Sequence, residues 1–355
     1  MAPKVTRSDV ARMAGVSPAV VSYVTNGGPR PVSAAARARV EAAIEALGYR
    51  PDALATAFRD GRTMSVGLLM PSPMNPYYAE MAHAVEVELA RRGHVLSIGI
   101  SAFNAAQDEA QIRSFDDRRM TGLLIASAAS LPTGFTAGQW STPHVVLDDV
   151  TDVSPDSPSV YADSYYDVRR AVDHLQYHGH SVIACIAGPP TWPDDARRVQ
   201  AWRDQQLAAG LPAGDDLVGH ADVSAEGGSM ALRVLLEEDS YRSSRRELRP
   251  TAVVVTSDIQ AIGALRVCHE LGIDVPGDLA IVSYDGVRQG LFSAPRLTSM
   301  RRPLREIVRT AISLITTGDS TDTQPRPPRL SLRGNLLIGE SCGCEPTIQW
   351  TGGMS

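Results

Sequence analysis

VSPAVVSYVTNGG, residues 16–28, reads as a short helix with a start signal at its front and a stop at its back. Ser17 is a good N-cap, because its side-chain oxygen can accept from a backbone N–H that the first helical turn leaves unpaired. Pro18 falls at the first helical position, where its missing N–H costs nothing. The helix is predicted to run to about Thr25 and to end at Asn26-Gly27-Gly28. Upstream, Thr6-Arg7-Ser8-Asp9 has capping-box spacing with Asp in place of the preferred Glu, and Gly15 is placed to stop a helix holding Val10, Ala11 and Ala14. Downstream, Ser33 caps a third helix whose Val40, Ile44 and Leu47 share one face and which Gly48 ends. Three short helices, with the tight turn Gly15-Val16-Ser17 between the first two, describe a helix-turn-helix module. Residues 16–28 are then the recognition helix: Pro18, Ala19, Ser22 and Tyr23 face the major groove, and Val21 and Val24 pack inward. Capping and periodicity alone leave any other three-helix bundle open.

Charge separates this head from the rest. Residues 1–62 carry nine Lys/Arg against five Asp/Glu, a balance of +4, while the remainder holds 25 against 35; the whole 355-residue chain is at −6. A small basic head on an acidic body points to a nucleic-acid partner for the head alone. With 43% apolar residues the chain can bury a sizeable core in two or three domains. No stretch approaches the roughly 18 consecutive apolar residues of a membrane span, and Met1–Arg12 has no apolar h-region, so a cytoplasmic protein without membrane contact is expected. Four cysteines, Cys185, Cys268, Cys342 and Cys344, make no disulfide framework in so long a chain.

Beyond the head, apolar β-rich runs at Val66–Met70, Val95–Ile100, Gly122–Ala126, Val145–Leu147, Val182–Ala187, Ala252–Thr256 and Leu279–Ser283 alternate with helical patterns such as Tyr77–Arg92 and Asp258–Leu271. That rhythm predicts parallel α/β architecture. In such sheets ligands bind beyond the carboxyl ends of the strands, where Asp148, Ser257-Asp258 and Asp285 fall by sequence. A carboxylate can accept two hydroxyls at once and a guanidinium donates in a plane, which is chemistry suited to a sugar or nucleoside.

The segments SDVARMAGVSPAVVSYVTNGGPRPVSAAARARVEAAIEALGYRPDALATAFRDGRT, VGLLMPSPMNPYYAE, HLQYHGHSVIACIAGPP, TAVVVTSDIQAIGAL and LAIVSYDG together resemble the LacI/GalR family of transcriptional repressors through nearly the whole chain. The resemblance implies a helix-turn-helix head (1–50), a hinge helix (51–61) and a two-lobed periplasmic-binding-protein-like α/β body (62–345), followed by a tail (346–355). Chain crossings near Asp163, Arg296 and Thr323 would give a first lobe of 62–163 with 297–323 and a second of 164–296 with 324–340. The third falls in TTGDSTDTQPRPP, which is rich in Gly, Pro and Ser/Thr. It also implies a homodimer on a palindromic operator of double-stranded DNA, switched by a small-molecule effector, a sugar, polyol or nucleoside/purine, with no cofactor and no enzymatic activity.

Residue by residue, the resemblance places DNA contacts at Thr6, Ser17, Pro18, Ala19, Ser22, Tyr23, Asn26 and Arg30 in the head and at Leu54, Ala55 and Phe58 in the hinge. The hinge could form only about two turns, too short to stand alone in water, so it should order only on DNA. Phe58 stands where the family has a leucine wedge for the minor groove; packing between domains is its alternative role. Tyr23 stands where the family usually has an arginine, and Pro18 and Ala19 offer apolar contact to a thymine methyl, so Tyr23 is left as the main polar base reader. Ser22, Lys4, Arg7 and Arg30 suit phosphates, with plain solvation an equal reading for the arginines.

For the effector, the resemblance assigns Asp285, in the family's Y-D position, and Arg198, three residues before Ala201 where the family has glycine. Tyr77 and Tyr78 would wall the other lobe, and Ser257 and Asp148 would add polar contacts. Arg302 takes a place often held by glutamine, and Val223 one where some members carry an aromatic platform. Asp258 reads equally as a helix N-cap, Asp149 competes with Asp148, Tyr77 and Tyr78 could be lobe-interface core, and Arg198 could be a surface charge. His174 and His178 lie i, i+4 on a predicted helix with His180 just beyond, a spacing zinc can use, but the family's helix-end pattern favours a structural role. Cys342-Gly343-Cys344 is too short for a zinc pair with no second pair nearby, and no metal site is expected. The competing function class is a cytoplasmic sugar-binding module or enzyme whose head contacts protein; such a binding protein would normally carry an export signal and no helix-turn-helix.

Overall fold

The computed structural model describes residues 5–26, 31–49, 63–126, 139–148, 157–237, 249–316 and 329–345, and the chain divides into a unit of Met1–Thr63 and a unit of Met64–Ser355. The first unit holds helices α1 (Arg7–Ala14), α2 (Pro18–Asn26) and α3 (Ala34–Leu47). α1 and α3 begin and end where the caps require, and α2 begins at its cap. Thr6 and Asp9 form the reciprocal capping box, and Gly15 and Gly48 take left-handed backbone (φ 65 and 61) to close α1 and α3. Ser17 Oγ accepts from the Val20 amide at 3.4 Å. Val10, Ala11, Ala14, Val21, Val40, Ala43 and Tyr49 form the core, and Arg39 Nε donates to the Ala14 carbonyl at 3.1 Å, tying α3 to the end of α1.

The second unit contains two six-stranded sheets. The first is built from β1 (Thr63–Met70), β2 (Val95–Ile100), β3 (Met120–Ile125), β4 (His144–Val146) and β5 (Ser159–Ala162). Between them run α4 (Pro76–Arg91) and α5 (Ala105–Asp117). The second sheet uses β6 (Ile183–Ala187), β7 (Val218–His220), β8 (Ala252–Val255), β9 (Ala280–Asp285) and β10 (Thr298–Arg301). Its helices are α6 (Ser164–Tyr177), α7 (Pro193–Ala208), α8 (Ala225–Glu237) and α9 (Asp258–Leu271). The chain then returns through α10 (Leu304–Thr316) and β11 (Arg329–Leu332) to the first lobe and ends on β12 (Asn335–Leu337) in the second.

Strand order is β2-β1-β3-β4-β5-β11 in one lobe and β7-β6-β8-β9-β10-β12 in the other, parallel except where β12 runs against β10. The central strands, such as β4, β6, β8 and β9, are buried on both faces, as their near-continuous apolar runs required. Both orders reverse direction at their first strand, which opens a crevice at the carboxyl edge of each sheet. α8 and α9 approach closely because Gly228 and Gly263 face the partner backbone: a Cβ on either would stand about 2 Å from a carbonyl oxygen.

Two expected lobe boundaries are corrected. β10 pairs with β9 from Thr298↔Val282 to Arg301↔Asp285, so 298–301 belongs to the second lobe and the chain crosses at Arg302-Pro303, where proline ends the strand. β11 pairs with β5, so the third crossing falls between β11 and β12, at Arg333-Gly334. The Gly/Pro/Ser-rich stretch therefore joins α10 to β11 within the first lobe; such composition marks a connection but not which sheet the next strand joins. Among the described residues no helix is long and apolar enough to cross a membrane.

Candidate functional site

The head presents the face the sequence predicts. Ser17, Pro18 and Ala19 are exposed at the start of α2, Ser22 and Tyr23 are half-exposed one turn on, and Val21 is fully buried. Thr6 and Arg7 are exposed at the start of α1. The side chain of Asn26 and residues Lys4, Arg30, Leu54, Ala55 and Phe58 lie outside the described residues.

In the body a cleft, whose empty space is about 610 Å³ with its open mouth included, is lined by both lobes. Its walls are the carboxyl ends of the strands. Pro71 and Asn75 follow β1, Phe103 follows β2, Ala126 follows β3 and Asp148 follows β4. From the second lobe Trp192 and Asp194 follow β6, Val223 follows β7, Ser257 follows β8, Asp285 ends β9 and Arg302 follows β10. Seven of the eight predicted effector residues line it: Tyr77, Tyr78, Asp148, Arg198, Ser257, Asp285 and Arg302.

Asp258 does not line the cleft. It sits at the first turn of α9, fully buried, and accepts from Ser283 Oγ (2.5 Å), Ser299 Oγ (2.6 Å) and the Val287 amide (2.7 Å), which pins the loop after β9. Burial and neighbouring Asp285 push its acid up to about 7 against those bonds. Its neighbour Ser257 is the residue in the N-cap position, and the Ser257 hydroxyl donates instead to Asp285 Oδ2 at 2.9 Å.

Local sequence aims each group. Asn75 caps α4 through the Tyr77 amide (3.0 Å) and Pro76 sets the first turn, so Tyr77 and Tyr78 turn into the cleft immediately after β1. α7 starts at Pro193, and one turn places Asp194 and Asp195 against Arg198. Arg198 is therefore buried, 6% exposed, and not a surface charge. It also donates to the Thr256 carbonyl at 3.1 Å.

Arg302 occupies the chain crossing itself, 3.8 Å from Asp148 of the first lobe and 3.7 Å from Asp285 of the second. Its guanidinium lies 4.0 Å over the Tyr77 ring, while Arg198 lies 4.7 Å over Tyr284. Burial opposes the charge on both arginines, but the facing carboxylates and the Tyr77 and Tyr284 phenol groups outweigh it, so both stay cationic. Burial pushes the Asp285 acid up, and Arg302 and Arg198 pull it back. Asp285 also holds a positive φ of 127, a backbone conformation rare outside glycine and typical of ligand clamps. Among the described residues the buried Tyr77 hydroxyl and the Arg302 Nε have no hydrogen-bond partner.

The sequence reading did not anticipate Phe103, Trp192 or Asp194. Phe103 of the first lobe stacks on Trp192 of the second, centroids 4.1 Å apart and 21° from parallel, supplying the aromatic surface that Val223 lacks. The signal was available for Trp192 and Asp194, since TWPDD precedes Arg198 by one turn. Phe103 needed the fold, because its loop has no periodicity.

A DNA-reading three-helix head carried with a two-lobed, cleft-bearing body defines a ligand-responsive DNA-binding regulator. Residues 6–52 match the family model for bacterial regulatory proteins of the lacI family, and residues 172–342 match that for the periplasmic binding protein-like domain. The chain is 31% identical over 311 residues to the ribose operon repressor of Escherichia coli (strain K12), covering 87% of this chain and 92% of the relative. It is 30% identical over 342 residues to the HTH-type transcriptional repressor PurR of Photorhabdus laumondii, covering 94% and 97%. A solved complex of the transcriptional regulator CelR with cellobiose superposes with a TM-score of 0.66 at 29% identity, covering 95% of this chain and all of that one. The chain belongs to the LacI family of bacterial transcriptional regulators.

Proposed function

We propose that this repressor reads a palindromic operator as a homodimer and is switched by a neutral sugar or related polyol bound between its lobes. The cleft chemistry carries the reading. Four carboxylates, Asp148, Asp194, Asp195 and Asp285, face two guanidiniums that they already neutralise, which disfavours an anion and favours a ligand with several hydroxyls to donate and accept. The Phe103–Trp192 pair offers apolar ring faces to the C–H face of a sugar. Cellobiose in the CelR complex and the ribose repressor's name point the same way; the purine repressor keeps a base as the competing ligand.

A dimer is supported by edge strand β2, whose Val95, Ile98 and Ile100 stand 64%, 48% and 38% exposed; an unpaired apolar edge is a place for a partner chain. Among the described residues none lining the cleft presents an activated nucleophile, and we read the protein as a non-enzymatic regulator acting in the cytoplasm. Switching follows from linkage: a ligand that binds one spacing of the lobes better shifts the chain toward it, and the hinge passes that spacing to the head.

The test is selection of bound duplexes from a random pool by the full-length chain and by a control lacking residues 1–61. The selected duplex is then challenged with pentoses, hexoses, disaccharides and purine bases. A palindrome enriched only by the full chain and altered in affinity by a sugar supports the reading. Enrichment by the control, or response to purines alone, overturns it.

A further inference from the structure

We propose that the second lobe carries a metal site formed by His174, His178 and Cys344 that takes a borderline-soft divalent cation, zinc foremost. Cys344 is 166 residues from His178 and 170 from His174 in the chain. Cys344 Sγ lies 3.1 Å from His178 Nε2 and 3.8 Å from His174 Nε2, and one donor atom from each residue falls within 4.8 Å of the others. With Zn–N of about 2.0 Å and Zn–S of about 2.3 Å, a tetrahedral centre needs nitrogen and sulfur about 3.5 Å apart. The two observed separations bracket that value.

The arrangement is built rather than accidental. Helical spacing sets the two imidazoles edge to face, centroids 4.7 Å apart, and His178 closes α6, its amide donating to the His174 carbonyl at 3.2 Å. The thiol is held by an anchored segment. Glu340 pairs with Arg296 (2.7 Å) and Ser341 Oγ donates to the Ile281 carbonyl (2.6 Å). Gly343 then adopts φ 87, so that Cys342 turns into the core, where its sulfur accepts from Thr298 Oγ1 at 3.0 Å, and Cys344 turns out toward α6. Thr298 donates to Cys342, whose thiol also lies against Cys344, and the exposed His178 side of the cluster would admit water as a fourth ligand. Neither pattern suffices in the sequence, where the histidine pair lacks a third ligand and the Cys-x-Cys lacks a partner; the fold joins them.

Binding displaces the Cys344 thiol proton: the sulfur–hydrogen bond breaks, the sulfur pair goes to the cation, and one proton leaves to solvent. The cation would staple the segment at 339–345 to the end of α6 and stabilise the lobe by mass action.

The experiment uses full-length, reduced, chelator-stripped protein without a polyhistidine tag, titrated calorimetrically with zinc chloride and spectroscopically with cobalt chloride. Expected are one ion per chain, a thiolate-to-cobalt charge-transfer band, and a zinc-dependent rise in Tm. Exposed His178→Ala and the near-isosteric Cys344→Ser should each weaken zinc binding at least ~100-fold, beyond the loss from disturbing a ligand's supporting group. Metal-free Tm checks that both variants fold. Binding without the thiolate band, variants that bind zinc like the parent, or no stoichiometric binding would overturn the site and leave a thiol–imidazole hydrogen bond.

Discussion

Asp285→Asn separates ligand recognition from folding and DNA binding. The side chain is 6% exposed; one oxygen accepts the Ser257 hydroxyl at 2.9 Å and the other faces Arg302 at 3.7 Å. An asparagine keeps the shape and the Ser257 bond but turns an acceptor into a donor and removes the charge. Arg302 retains Asp148 at 3.8 Å, so its guanidinium is not left uncompensated, and the variant should escape the roughly 3–5 kcal/mol cost of breaking a buried pair outright. What is lost is one charge-assisted bond to a ligand hydroxyl, about 1.5–3 kcal/mol, which corresponds to roughly 10- to 150-fold in affinity. Parent and variant are titrated with the most effective sugar of the panel, followed by Trp192 fluorescence and by calorimetry. Operator binding is measured by anisotropy at one fixed salt concentration. Sugar affinity within about threefold of the parent would refute the assignment of Asp285. Loss of sugar-free operator binding would show that the residue acts on the fold.

Four further outcomes are expected. Trp192→Ala should weaken the sugar about 2- to 10-fold, the scale of one aromatic contact, with sugar-free operator affinity unchanged; calorimetry reads both. Tyr23→Phe should cost about 1–3 kcal/mol against the best operator and relax selection at one base position per half-site, and an unchanged selected sequence would remove Tyr23 as a reader. Phe58→Ala should weaken operator binding while leaving sugar affinity intact, and equal operator affinity would dismiss the wedge. Asp167, whose carboxylate receives the Gly334 amide at 2.9 Å beside the third chain crossing, is raised to about 6, chiefly by burial. Between its ordinary value near 3.8 and that value the folded chain holds more protons, so this group's contribution to stability is present below the window and lost as pH rises through it. Asp167→Asn should consequently gain Tm relative to the parent as pH goes from about 4 to 7, and a pH-independent difference would exclude Asp167.

How much could be read in advance depended on the range of the interaction. The caps at Thr6, Ser17 and Ser33 and the stops at Gly15 and Gly48 act within one helical turn, so the starts of the three head helices and the ends of α1 and α3 were legible. The long strands were legible because burial on both faces demands uninterrupted apolar runs. Short edge strands were not: β7, β11 and β12 bury too little to leave a pattern, and whether β10 and β11 join one sheet or the other is settled by pairing with β9 and β5, far away in the chain.

The cleft divides along the same line. Asp148, Ser257 and Asp285 could be placed because each directly follows an apolar run, and such sheets open at strand ends. Whether Arg198 was solvated or buried, and whether Asp258 met ligand or only its own loop, depended on groups that α7, α9 and β10 bring within hydrogen-bond distance. The Phe103–Trp192 stack and the His174–His178–Cys344 cluster are wholly tertiary, since each joins side chains from separate segments that no local spacing relates. By itself the sequence determined the helices, the long apolar strands and the residue types at their mouths, because capping, periodicity and burial are local demands. Only the tertiary structure decided which charges neutralise one another and which donors share a centre, because Coulomb and coordination energies depend on distances of a few ångströms between residues far apart in the chain.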